Sequence, residues 1–172
     1  PNPRIAALLK GTSFMNGGKF DVMQVAIADK SGEAVLSVKD KELGGGTIQK
    51  NKSETGLSQY TVPVLSIDNL VLTKGLAKVD IVKIDVEGVE PLVLSGMEKT
   101  LAANPGIRLI VEYSPSIYAD ARQFTEYLFS RFDVQHISGV DELKQLDSTS
   151  ITTLLEIRDH ADLYLRRKNV VK

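Results

Sequence analysis

The stretch Lys83-Ile84-Asp85-Val86-Glu87-Gly88 is where residue type and spacing most plainly allow chemistry. It closes a β-rich run, Asp80 to Val86, that carries a lysine and then two acids two residues apart. If the strand continues that far, its period of two puts Asp85 and Glu87 on the same side. Two carboxylates at a strand end are costly to bury unless they bind something. For Asp85, the deeper of the two, the site reading is favoured. For Glu87 two readings stand. It serves a site, or it or Glu90 caps the following helix, whose N-terminus favours negative charge.

Other candidates follow from one rule: in a doubly wound sheet, ligands sit outside the carboxyl ends of the strands. Asp29 follows the run Asp21 to Ala28, Glu112 ends the run Ile107 to Glu112 with Tyr113 after it, and His136 lies in Phe132 to Ile137. Several acids thus gather at one sheet edge without matching basic residues. Glu112 is either a site acid or a cap for the Ser114-Pro115-Ser116 helix entry. His136 reads as structural and His160, in Arg158-Asp159-His160, as surface. The triple glycine Gly44-Gly45-Gly46 lacks the spacing of a phosphate-binding loop, and no helix follows it at once. There is no Gly-x-Ser-x-Gly, no His-Glu-x-x-His and no metal-ligand spacing.

The elements that position these residues read as one α/β domain spanning residues 1–172. Pro1 to Lys10 is predicted helical, with Pro3 in the first turn. Asp21 to Ala28 and Ala34 to Val38 are predicted strands, and 39–59 a mobile loop insertion. Tyr60 to Leu65 contains Pro63 and is predicted to be an edge strand or a strand end. Val89 to Ala103 reads as one helix with Val89, Leu92, Val93, Met97 and Leu101 on a face, stopped by Asn104-Pro105-Gly106. Tyr118 to Arg131 is a second helix. Phe132 to Ile137 and Ile151 to Ile157 are predicted strands, and Arg166-Arg167-Lys168 a solvated tail. Strand alternating with helix predicts a mainly parallel sheet shared by the runs at 21–28, 81–85, 107–112, 132–137 and 151–157.

Composition bounds the function. The chain of 172 residues is 42% apolar and carries 21 Lys+Arg against 22 Asp+Glu, a net charge of -1. That balance gives no electrostatic footprint for nucleic acid or an anionic membrane. Cysteine is absent and there are two histidines, which excludes thiolate chemistry and a His-rich metal centre. No apolar run approaches ~18 residues and no signal peptide opens the chain, so a cytoplasmic protein is expected.

Val79 to Leu101 (VDIVKIDVEGVEPLVLSGMEKTL) resembles the hallmark of the FkbM-type S-adenosylmethionine-dependent methyltransferases. Pro1-Asn2-Pro3 resembles the tail of that family's Glu-Pro-Asn-Pro segment, and Val25 to Gly32 its third strand and turn. Gly45-Gly46-Thr47, Val62 to Leu70 and Ile110 to Pro115 resemble further pieces, in order. The resemblance is looser beyond Pro115. It implies a Rossmann-like, class I methyltransferase sheet, here N-terminally truncated. The family's first strand, its glycine turn and its ribose acid would precede Pro1. The strand at 81–85 would then be an exposed hydrophobic edge, which invites a homodimer. On that expectation the chain binds cofactor weakly or not at all.

The activity implied is methyl transfer from S-adenosylmethionine to a hydroxyl of a sugar, polyketide or other small molecule. By position Asp85 would lie near the methionine end of the cofactor. Glu87 and Glu112 would face the acceptor, and Asn2 and Asp29 would flank the adenine. The competing class is a truncated or degenerate domain that keeps the sheet and acts as an interaction module without catalysis.

Overall fold

Asn2 opens the first helix, α1 (Pro3–Met15). Its Oδ1 accepts the Arg4 N–H at 3.0 Å, and Pro3 occupies the first turn, where no amide donor is needed. The computed structural model describes residues 1–39, 46–48, 57–139 and 142–168. After α1 come β1 (Ala26–Ile27), β2 (Gly32–Lys39), β3 (Gly46–Thr47), β4 (Leu57–Leu65) and α2 (Ile67–Lys74). The second half holds β5 (Ile81–Ile84), α3 (Glu90–Ser95), α4 (Glu98–Ala103), β6 (Arg108–Tyr113) and α5 (Ala121–Arg131). It ends with β7 (Phe132–Ile137), β8 (Leu143–Leu146), α6 (Ile151–Leu155) and β9 (Ala161–Arg167).

The strands form two sheets, not one. The first has the order β1-β4-β2-β3, with β2 antiparallel to β4 from Gly32↔Val64 to Lys39↔Leu57. Of the run 21–28 only Ala26–Ile27 pairs, in parallel with Val64 and Leu65. The strand with Pro63 lies inside this sheet and not at its edge. Pro63 is tolerated because β1 reaches only Val64 and Leu65, leaving one side of Pro63 without a ladder to satisfy. Of the expected loop 39–59, residues 40–45 and 49–56 lie outside the described residues. The flanking segments are strand.

The second sheet has the order β5-β6-β9-β7-β8. Only β5 and β6 pair in parallel, because β9 inserts antiparallel between β6 and β7 and β8 pairs antiparallel with β7. The expectation of a mainly parallel sheet is therefore corrected to a mixed one. Residues 151–155 are helix α6, not strand. Asp147 and Ser150 form a capping box ahead of it, and Ile151 and Leu154 meet the core at a spacing of three. The true last strand ends in Arg166 and Arg167. Arg167 donates to the Leu101 carbonyl and Lys168 Nζ to Phe129 O at 2.5 Å, so this basic segment is anchored and not a free tail.

The predicted helix 89–103 is two helices, broken at Gly96-Met97. Met97 offers α4 no side-chain cap. Asp68 of α2 supplies one instead, accepting Lys99 N at 3.0 Å and Thr100 N and Oγ1 at 2.7 Å. Gly96 packs against the chain just past β1, where a β-carbon would overlap the Ala28 carbonyl oxygen. The main core lies on one face of the second sheet. Ile84, Leu109, Val111, Tyr113, Leu163 and Leu165 meet Val93, Met97, Leu101, Phe124 and Leu128 of the covering helices. Leu92, placed inward by the helical pattern, is 44% exposed. Strand alternation sends Lys83, Glu112 and Asp162 to the opposite face. Among the described residues β5 has one neighbour, and its Ile81 is 58% exposed. No helix of the described residues is long and apolar enough to cross a membrane.

Candidate functional site

Past Ile84 the chain leaves β5 through a tight turn. Glu87 has φ 56° and Gly88 φ 99°, both in the left-handed region that a side chain resists. Glu90 holds this turn. It is 1% exposed, and its carboxylate accepts Val86 N at 3.0 Å and Gly88 N at 3.0 Å. Its partners lie in the turn before α3, so Glu90 is a buried clasp and not a solvated first-turn acid.

The clasped turn forms one wall of a cleft of about 280 Å³. The other walls are α1, β1 and the segment before it. Asn2, Asp85 and Glu87 supply polar side chains to the lining, together with the Pro1 amine and against Ile5, Leu9, Val25, Ile27 and Val89. Both carboxylates are exposed, not buried as their strand-end position suggested. Asn2 Oδ1 is committed to its helix, which leaves its amide nitrogen as a donor. Asp85 pairs with Lys83 at 2.5 Å. That hydrogen bond, aided by the charges of Asp85, Asp162 and Glu112 and opposed by burial, holds the Lys83 ammonium above its ordinary range.

Asp29 and Glu112 do not line this cleft. Asp29 is exposed, and its backbone packs under Gly96. Glu112 lies across the sheet. Ile84 pairs with Val111, so Asp85 and Glu112 follow at the same end, and Glu112 faces Asp162 of β9. Burial raises the Glu112 carboxyl above its ordinary value. The charges of Asp85, Glu87 and Glu90 add to that rise, and His160 opposes it. His160 is exposed, as expected, and Asp159 at 3.4 Å raises its imidazole, with Glu112 contributing. Its link to Glu112 escapes a reading that ends the last strand at Ile157. His136 is half-buried in β7, opposite Lys144 and Leu163, away from the cleft.

A second cavity, of about 860 Å³, lies on the other side of the turn. Gly88 and Val89 bound it together with α3, α5 and the 3-10 turn at Pro115–Ile117. Val89 lines both spaces. Nothing in the local sequence pattern signals this cavity, because its aromatic wall reads as ordinary helix core.

Chemically, the first cleft offers carboxylates to a cation and an apolar wall to a flat ring. No group of acids and histidines able to hold a metal occurs among the described residues. Residues 1–137 match the family model described as Methyltransferase FkbM domain. No curated protein and no solved structure matches the chain.

Proposed function

This chain belongs to the methyltransferase FkbM domain family, and we propose that it moves a methyl group from S-adenosylmethionine to a hydroxyl oxygen of a small molecule at the clasped turn. The observation that supports this most is the convergence of Asn2, Asp85 and Glu87 on one cleft. The cleft residues fit the cofactor's chemistry. Asp85 and Glu87 suit a sulfonium and an ammonium, and Ile5, Leu9 and Val25 suit an adenine face. Asn2 keeps an amide donor for a ring nitrogen. Asp29, exposed and outside the cleft lining, is assigned to the adenine end only through its neighbour β1.

When bound, S-adenosylmethionine supplies an electrophilic methyl group, which an acceptor oxygen takes with release of a neutral thioether. The chain's own part is to position and to accept a proton. Asp85, steadied by Lys83, fixes the cationic end. Glu90 keeps Glu87 in a strained conformation at the cleft wall, a cost of order 1–3 kcal/mol that sites retain when the geometry is used. Glu87, in the cleft lining, takes the hydroxyl proton. Glu112 lines neither space and is given no step.

The test is transfer of tritiated methyl from S-adenosylmethionine to a panel of hydroxylated small molecules, with Asp85→Asn in parallel. Loss of about 10²–10⁴ in rate with an unchanged melting temperature is expected. Near-wild-type turnover by the variant would contradict the assignment. One observation favours a second reading, the interaction module: among the described residues β5 is paired on one side only, with Ile81 exposed. On that reading two copies join through β5, sedimentation gives a dimer, and Val82→Pro dissociates it.

A further inference from the structure

The second cavity carries chemistry that the first does not. Its volume, about 860 Å³, is in the range of small-molecule sites, roughly 300–1,000 Å³. One wall is aromatic. Tyr118 and Phe124 meet edge to face at 5.1 Å, and Phe124 and Tyr127 stack at 6.4 Å. The phenol groups are already spent. Tyr118 Oη donates to Glu112 O at 3.1 Å and accepts from Ser114 N at 2.9 Å, and Tyr127 Oη donates to Glu98 at 2.9 Å. These tyrosines therefore offer ring surface and not hydroxyls.

Charge narrows the ligand further. Two carboxylates, Glu98 and Asp120, border the cavity, and no Lys, Arg or His among the described residues lines it. Arg131 is held by Glu98 at 2.5 Å and sits over the Tyr127 ring. An anion entering here would meet Asp120 and the Arg131-paired Glu98 with no cation of the lining to hold it. Ser95, Ser116 and Gln123 remain as polar groups that can pair with neutral hydroxyls.

We propose that this cavity holds the acceptor, and that the acceptor is a neutral, hydroxylated molecule with a ring-sized apolar body, not a phosphorylated or carboxylated one. The proposal rests on the methyltransferase reading for the word acceptor. Val89 borders both spaces, and the proposal places the acceptor hydroxyl past it, toward the turn that carries Asp85 and Glu87. Methyl transfer needs the reacting atoms about 3–3.5 Å apart, which a shared wall allows and two remote pockets would not.

The test measures binding by calorimetry, without turnover. The probes are 4-nitrophenyl β-D-glucopyranoside, neutral with an aromatic ring, and glucose 6-phosphate. S-adenosylmethionine is titrated separately. Wild type should bind the glucoside at least tenfold more tightly than the phosphate. Ala119→Trp, which fills the cavity from an exposed position, should weaken the glucoside at least tenfold and leave S-adenosylmethionine within twofold. Gln123→Lys, which adds a cation to the lining, should strengthen glucose 6-phosphate at least tenfold. Melting curves verify that both variants fold. Equal or tighter binding of the phosphate to wild type, no glucoside binding, or glucoside binding indifferent to Ala119→Trp would overturn the proposal. Glucoside binding with these variant effects but no S-adenosylmethionine binding would keep the cavity's ligand class and overturn the methyltransferase reading instead.

Discussion

Glu90 is 1% exposed and takes two backbone N–H groups of the turn that carries Asp85 and Glu87. Glu90→Ala leaves both donors without a partner, so it should cost about 1–3 kcal/mol, or more if water cannot reach them. Chemical denaturation of the variant measures this, and a loss below 0.5 kcal/mol, roughly the scatter of surface substitutions, would contradict the clasp. Glu112 gives a pH signature. Its carboxyl is raised above its ordinary 4.5, mainly by burial and then by Asp85. The fold thus favours the protonated form. That contribution is present below pH 4.5 and is lost as pH rises through the raised value. Relative to wild type, Glu112→Gln should gain melting temperature between pH 4 and pH 7. A gap independent of pH would contradict the burial of that carboxylate. The acids themselves were legible, because two carboxylates at the end of an apolar strand stand out. The clasp was not, because an acid in the first helical turn ordinarily faces water.

At the scale of elements, α4 begins on a residue that cannot cap it, and Asp68 caps it from α2 across 31 and 32 residues of sequence. The cap draws the end of the first sheet's connection onto the helices behind the cleft. Burial alone would raise the Asp68 carboxyl, but the Thr100 hydroxyl and amide, the Lys99 amide and the Lys99 charge together lower it. Its stabilisation is therefore present above the ordinary value of 3.8 and lost as pH falls through the lowered one. Asp68→Ala should cost about 0.5–2 kcal/mol at neutral pH, as helix caps do. The difference from wild type should shrink below pH 4. Urea unfolding at pH 7 and pH 3 checks both statements, and an equal difference at the two would contradict them. Such a long-range cap has no local signature, which is why the run 89–103 reads as one helix. Gly96 was visible as a glycine but not as a contact. Gly96→Ala would push a methyl group into the Ala28 carbonyl and should destabilise by about 1–3 kcal/mol.

At the scale of the whole molecule, two sheets meet at the clasped turn. The first brings Val25 to Ile27, and α1 brings Asn2. The second brings Asp85 at the end of β5. The alternation of strands and helices was legible because each apolar run is local. The insertion of β9 between β6 and β7 was not, since pairing between residues 108–113 and 161–166 depends on contacts distant in sequence. The β-branched run Ile151-Thr152-Thr153 misled for a related reason. Its isoleucine and Leu154 pack at helical spacing only because a capping box starts the turn there. The cleft at this junction is proposed to bind S-adenosylmethionine through Asp85. The most direct measurement is calorimetric titration of S-adenosylmethionine into wild type and Asp85→Asn, with melting curves showing that both fold. Saturable binding to wild type and at least tenfold weaker binding to the variant are expected, a difference of about 1.4 kcal/mol or more. Equal affinity in two equally folded proteins would contradict it.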